Sequence, residues 1–242
     1  MYGRKDRVRR AYNLHLLDAS DGCDAYGMPL LDACHVVPDR LRGFNTCARC
    51  TDQKAGVHFF LDDYRFEWAW SDPLRYVDML SRFQCVLTPD FSVYVDMPEP
   101  MQRFNVYRGR AVGRIWQEAG LEVVPTLTWG FPGTYGFCFD GLPQGGTVAL
   151  STVGLMRYPE NVRFFKAGAS AAVRACRPGA VLAFGVPCDF DAGGARVVWY
   201  ESDNYKRLGE VMENGKRDQH RREDQRRKEE EPVDQVGALG EA

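Results

Sequence analysis

The sequence predicts an α/β protein built on a largely parallel sheet of about seven strands, arranged like a (β/α) barrel. Three observations lead there. Short, nearly continuous apolar runs recur, as in Gly56-Val57-His58-Phe59-Phe60-Leu61 and Leu121 to Thr128, which is how strands buried on both faces read. Segments with helical spacing separate them, implying βαβ units with right-handed crossovers. Each run also stops at polar residues, such as Asp62-Asp63 after the first and Asp90 after Val86-Leu87, and a barrel gathers its strand ends on one face.

The expected strands, in order, are Gly27 to Leu31, Gly56 to Leu61, Val86-Leu87, Leu121 to Thr128, Thr147 to Leu150, Ala180 to Gly185 and Arg196 to Tyr200. Between them, an aromatic stripe at Phe66, Trp70, Leu74 and Val77 predicts a helix from about Tyr64 to Phe83. Pro98 opens a second helix, in which Met101, Phe104, Tyr107, Val112, Ile115 and Ala119 recur at three and four, and Gly120 is placed to close it. Its Arg103, Arg110 and Arg114 are expected to face solvent. Phe131 to Gly146 is too rich in Gly and Pro for a helix and reads as a loop. Asn161 to Cys176 reads as a helix stopped by Arg177-Pro178-Gly179.

Hydrophobic residues at 45% and charged ones at 26% are ordinary for a globular chain, so one domain is expected over residues 11–202. Residues 1–10 form a basic arm, expected to be frayed. Residues 39–55 read as a polar, cysteine-bearing loop. Residues 203–242 hold nine Lys or Arg and eleven Asp or Glu and read as a charged tail, disordered or a lone helix. A net charge of -2 gives no basic field, so any nucleic acid contact must come from a local patch. No apolar run is long enough to span a membrane, and the N-terminus lacks the apolar core of a signal peptide. The expectation is a cytoplasmic protein whose eight cysteines are mostly reduced thiols. Cys85, Cys138 and Cys176 sit in apolar runs as small core residues.

The candidate chemistry lies at the strand ends. Asp62, Asp63 and Asp90 follow two different strands, so carboxylates from each could meet as a general acid and base, or hold a Mg²⁺. Their competing structural role is helix capping by Asp62 or Asp63 and a local turn between Asp90 and Ser92. Arg65 is a candidate phosphate ligand, with an internal ion pair to Asp63 or Glu67 as its alternative. Tyr94 and Trp129 are a candidate stacking platform, and Ser92, Ser151 and Thr152 offer hydroxyls. Asn105, Arg108 and Arg110 lie early on a helix where an anion would be met, against a plain solvated role.

Cys47-Ala48-Arg49-Cys50 has the spacing of half a zinc site, with Cys23, Cys34 and His35 upstream to complete it. A thioredoxin-like role is disfavoured, because Cys47 does not follow a strand into a helix. No phosphate-binding Walker loop, Gly-x-Gly-x-x-Gly fingerprint or Gly-x-Ser-x-Gly elbow is present, which argues against ATP hydrolysis, NAD chemistry and serine hydrolysis by those routes.

The run Gly56 to Glu67, then Thr88-Pro89-Asp90-Phe91-Ser92-Val93-Tyr94, Asp96-Met97-Pro98, Trp116-Gln117, Pro125-Thr126, Phe137-Cys138-Phe139-Asp140-Gly141 and Ser151-Thr152-Val153-Gly154 closely resembles the domain of unknown function 4417 family, in the same order from about Tyr26 to Gly185. The Asp90-Phe91-Ser92 triplet is that family's hallmark. Its members occur in phages, plasmids and prokaryotic genomes, so the resemblance implies a phage or mobile-element protein. Some relatives carry a rolling-circle replication label, which implies a DNA replication role. The common nickases need two histidines on one strand beside a tyrosine, and His15, His35, His58 and His220 are not paired in that way.

Two functions are therefore carried forward. One is a strand-end acidic pocket that binds, and acts on, a phosphate- or sugar-bearing ligand such as a nucleotide or nucleic acid. The other is a non-catalytic replication accessory, or a DNA- or protein-binding module, working through the arm and the tail.

Overall fold

Side chains alternate strictly across seven parallel strands, and that alternation sorts the molecule into an inner cluster and two outer ones. The computed structural model describes residues 4–18, 22–155 and 158–201. The strands are β1 (Arg40–Gly43), β2 (Ala55–His58), β3 (Cys85–Leu87), β4 (Val123–Val124), β5 (Thr147–Ser151), β6 (Ala180–Phe184) and β7 (Arg196–Tyr200). The helices are α1 (Arg4–Ala11), α2 (Glu67–Ser71), α3 (Val77–Leu80), α4 (Glu99–Glu118), α5 (Tyr135–Phe139) and α6 (Pro159–Cys176).

Strands β1 to β4 pair in sequence order as one parallel sheet, and β5 to β7 as another. A parallel bridge between Thr126 and Ala149 connects them. There the Leu127 amide donates to Ala149 O at 2.7 Å and the Ala149 amide to Pro125 O at 2.8 Å.

Along each strand one residue faces the helices and the next faces away. Val57, Val86 and Val123 pack outward with Phe59, Phe66, Trp70 and Trp116. Val148, Leu150, Val181 and Ala183 pack outward with Phe165, Ala169 and Ala172 of α6. The alternate residues Leu41, Cys85, Leu87, Val124, Ala149, Leu182, Phe184 and Tyr200 make a third, inner cluster. His58 of β2 lies in that interior, its ring 4.2 Å from Phe184 of β6 and 5.4 Å from Phe60. It is a core histidine, with Nδ1 accepting the Phe60 amide at 3.1 Å. Burial pushes its pKa down to about 3, so it stays neutral.

Several expectations need correction. Gly27 to Leu31 is not a strand; Pro29 makes one isolated antiparallel bridge with Cys23. The first strand is instead Arg40–Gly43, inside the stretch read as a loop, because only Leu41 of its four residues is fully buried. The single helix expected from Tyr64 to Phe83 is broken into 3-10 turns at Asp63–Arg65 and Pro73–Tyr76 and the short helices α2 and α3. Pro73 lacks the amide that a continuing helix needs. The Phe131 to Gly146 loop contains α5, and the N-terminal arm is helical from Arg4 to Ala11. No ladder joins β7 to β1 among the described residues, so the expected barrel closure is not shown; Tyr200 donates its hydroxyl to Pro38 O at 2.7 Å. Residues 203–242, the expected tail, lie outside the described residues.

Helices α4 and α6 hold as read, the first followed by Gly120 at φ +85° and the second ended by Arg177 at φ +41°. Close packing fixes α6: a Cβ at Gly168 would come within 2.0 Å of Trp129 Nε1. Gly168→Ala is therefore expected to lower stability by about 1–3 kcal/mol, read as a reduced urea midpoint with an unchanged slope. An unchanged midpoint would contradict this packing.

Candidate strand-end site

Two threonines lock the ends of β3 and β4 and thereby aim the residues that follow. The Thr126 amide donates to Thr88 Oγ1 at 2.8 Å, and the Thr126 hydroxyl to Thr88 O at 2.7 Å. Two residues further along each chain stand Asp90 and Thr128, whose side chains are hydrogen-bonded. Asp90 sits deep yet keeps part of its surface exposed. Burial, then the negative charge of Asp63, push its pKa from 3.8 up to about 7, with Thr128 pulling the other way.

Asp63, in the loop after β2, lies near enough for its charge to act on Asp90. Its carboxylate accepts the Ser92 hydroxyl at 2.8 Å and the Ser92 amide at 3.1 and 3.3 Å. Ser92 is thus held by Asp63 rather than by a turn with Asp90, and neither Asp62 nor Asp63 caps a helix through its side chain. The chain of contacts continues. Ser92 O accepts Asn105 Nδ2 at 2.6 Å, Asn105 Oδ1 accepts Arg108 Nη2 at 2.7 Å, and Arg108 Nη1 meets Glu67 at 2.6 Å. Arg108 is 9% exposed, with its guanidinium 3.8 Å from the Phe91 ring centroid. Asp63 and Glu67 flank one 3-10 turn, so the network closes on itself and fixes both loops against α4.

The structure brings together Asp63, Asp90 and Ser92 of the expected site, and adds Thr128, Asn105 and Arg108. Asp62 is exposed and pairs with Arg65 at 3.4 Å; Arg65 also donates to the Tyr64 hydroxyl at 3.3 Å. Such exposed pairs stabilise little. Glu67, one expected partner of Arg65, belongs to Arg108. Tyr94 is 60% exposed. Trp129 packs on Phe139, Phe165 and Gly168 and does not join Tyr94 in a platform. Ser151 Oγ accepts the Val153 amide at 3.1 Å within its own turn, and Thr152 donates to Val186 O at 2.9 Å, tying that turn to the segment after β6.

Arg108 and Arg110, expected to be solvated, are buried, Arg110 donating to Cys138 O and Asp140 O at 3.1 Å each. Thr128 follows an apolar strand without any motif and left no signal in the sequence. Asn105 and Arg108, three apart on α4, carried a signal in their shared face.

Cys47 is buried and donates to Gly43 O at 3.3 Å. Burial first, then Cys50, push its thiol up to about 12, with Arg82 pulling down. Among the described residues no three His, Cys, Asp or Glu converge in metal-binding geometry. Two hollows stand out there, a groove of about 610 Å³ beside Tyr26 and Tyr135 and a hollow of about 150 Å³ beside Cys50 and Arg82. Neither is lined by Asp62, Asp63 or Asp90.

The family model described as "Domain of unknown function (DUF4417)" matches residues 21–200, a span that includes every strand and the whole Asp63 to Arg108 network. The chain belongs to this family. It is 41% identical over 176 residues to the Gene 1 protein of Mycobacterium phage L5, covering 71% of this chain and 76% of that one. It is also 41% identical over 165 residues to the Gene 1 protein of Mycobacterium phage D29, covering 66% of this chain and 61% of that one. This DUF4417 protein is of phage type. No solved structure matches it. No helix among its described residues is long and apolar enough to cross a membrane.

Two predictions follow from the network and the raised carboxyl. Arg108→Ala removes the partner of Glu67 and Asn105 and should cost about 2–4 kcal/mol, measured as a lower urea midpoint; a loss below about 0.5 kcal/mol would mean the network is ornamental. Between pH 3.8 and about 7 folded Asp90 holds a proton that the unfolded chain has released. Its contribution to stability therefore falls as pH rises through that window, by up to about 4 kcal/mol. His58 acts with the opposite sign, since below 6.5 the unfolded chain binds a proton the folded one excludes. Asp90→Asn against wild type isolates the first effect: the variant should gain relative stability as pH rises from 4 to about 7. A difference that stays flat across that range would refute the raised carboxyl.

Proposed function

We propose that Asp63 and Asp90 form an acid–base pair acting on a phosphate- or sugar-bearing ligand at the strand ends. The observation that carries this reading is the meeting of two carboxylates from separate loops in unlike environments. Asp63 accepts both donors of Ser92, as a carboxylate does. Asp90 is raised to about 7 and holds or gives a proton near neutrality. Pairs of carboxyls driven apart in this way divide acid and base roles between them. The parallel strands β2, β3 and β4 deliver the two loops together, and we read the sheet as the wall of an open barrel with its loops at one rim. Thr128 would orient the Asp90 proton, and Arg108 would position Ser92 through Asn105.

A divalent cation fits this pair in part. Asp63 and Asp90 supply two oxygens-bearing ligands, enough for Mg²⁺ when a phosphate supplies others, and its positive charge would hold Asp90 ionised. Zn²⁺ at Cys47 and Cys50 fits less well, because the Cys47 thiol is buried and engaged with Gly43 O. Work in the host cytoplasm agrees with the phage-type relatives.

The second reading, a non-catalytic nucleic-acid-binding module in replication, draws on α1. Its arginines at positions 7, 9 and 10 are exposed, while Asn13 anchors its end by donating to Trp70 O at 2.6 Å.

The test is mass spectrometry of metals and metabolites that copurify with the full chain, followed by turnover of the ligand found. Asp63→Asn and Asp90→Asn should each reduce turnover about 100-fold or more with the fold retained. If both variants match wild type in turnover and ligand retention, the acid–base reading fails. If removing residues 1–10 instead abolishes a salt-sensitive interaction with DNA, the second reading takes its place.

A further inference from the structure

The groove beside Tyr26 and Tyr135 lies apart from Asp62, Asp63 and Asp90, none of which lines it. It runs between the Ala25-Tyr26 turn, α5 and α6 as a shallow groove open to solvent, with a volume of about 610 Å³. Small residues keep it open: Gly136, Ala171 and Ala175 line it, and a Cβ at Gly136 would come within 2.5 Å of the Tyr26 hydroxyl. Its walls are aromatic, with the Tyr135 and Phe139 rings 5.1 Å apart and tilted by 32°.

The polar groups divide by sign. Asp140 lines the groove; its Oδ2 accepts the Ala25 amide at 3.0 Å, and a carboxylate has lone pairs left for further donors. Gln144 is already spent on Leu142 O, Ala175 O and Arg177. Behind Gly141, where a Cβ would come within 3.3 Å of Asp24 Oδ2, that oxygen is buried without a hydrogen-bond partner. Arg110 Nη1 is likewise buried and unpartnered, on a side chain 4% exposed that feels the charges of Asp24 and Asp140. Neither Asp24 nor Arg110 lines the groove, and their opposite charges act on one another. At the rim are cations: Arg174 acts electrostatically on Tyr135, and Arg177 donates to Gln144 Oε1 at 3.2 Å.

The geometry points to a nucleotide site in this groove, taking a guanine base against the tyrosines with its adjacent N–H donors on Asp140 and its phosphate toward Arg174 and Arg177. Aromatic walls stack any base, but an acceptor-only carboxylate selects a base edge carrying two neighbouring donors, as guanine does and adenine does not. The arginines at the rim disfavour a cationic ligand such as an arginine side chain.

The test is calorimetric titration of the full chain with GMP, guanosine and AMP. GMP should bind saturably at one site, with guanosine weaker and AMP weaker by about tenfold or more. Asp140→Asn should cost about tenfold in GMP affinity and bring GMP and AMP level. Ala171→Phe should fill the groove and abolish binding; Tyr135→Ala, which removes a wall without crowding α6, should weaken it if the larger residue is not tolerated. Asp90→Asn should leave GMP binding unchanged, which separates this site from the strand-end pair. No saturable GMP binding at millimolar concentration, equal binding of AMP by wild type, or GMP binding untouched by Asp140→Asn and Tyr135→Ala would each overturn the assignment.

Discussion

The carboxylate of Asp63, receiving both the amide and the hydroxyl of Ser92, is the contact on which the candidate site depends. It ties the loop after β2 to the loop after β3, which also meet through the Phe66 and Phe91 rings, 5.1 Å apart. It also brings a negative charge up to Asp90, whose side chain is already removed from most of the surrounding water. Asp90 responds to both, and to burial first. Without Asp63 in that position, Asp90 would be a buried carboxyl beside a threonine and no more.

The contact is held from behind by a buried arginine. Arg108 faces the Phe91 ring, and its two terminal nitrogens reach Asn105 and Glu67, which pairs a charge in the core while its Nε is left without a hydrogen-bond partner. Because Glu67 starts α2 just beyond Asp63 and Asn105 holds Ser92 O, the same arginine sets both loops. A helix that reads as amphipathic thus does two jobs: its apolar residues Val112, Ile115 and Trp116 pack on the sheet, and its polar residues near the N-terminal half organise the strand ends.

Much of the frame was legible. Strands buried on both faces leave runs such as Gly56 to Leu61, and α4 and α6 are marked by apolar periodicity together with Pro and Gly at their ends. β1 was not legible, because an edge strand with two arginines on it looks like a loop. The Tyr64 to Phe83 stretch breaks at Pro73, which has no amide to continue a helix, although its aromatic stripe runs past that point. At the site, Asp63, Asp90 and Ser92 stood out as polar residues at apolar strand ends. Their partners did not: which carboxylate takes Ser92, and that Arg108 turns inward, depend on loop geometry and on charge pairing between residues about forty positions apart. Asp62, Arg65 and Ser151 have the right composition but bond locally, Thr152 ties its turn to Val186 O, and Trp129 is a packing residue for Gly168.

Asp90 keeps its proton near neutrality because it is buried and, second, because Asp63 acts on it with a negative charge. Carbon-13 NMR titration of the aspartate carboxyls measures this directly. Asp90 should titrate near 7 in the wild type and distinctly lower in Asp63→Asn. An Asp90 that titrates near 3.8, the ordinary value, or one that is indifferent to Asp63→Asn, would contradict it.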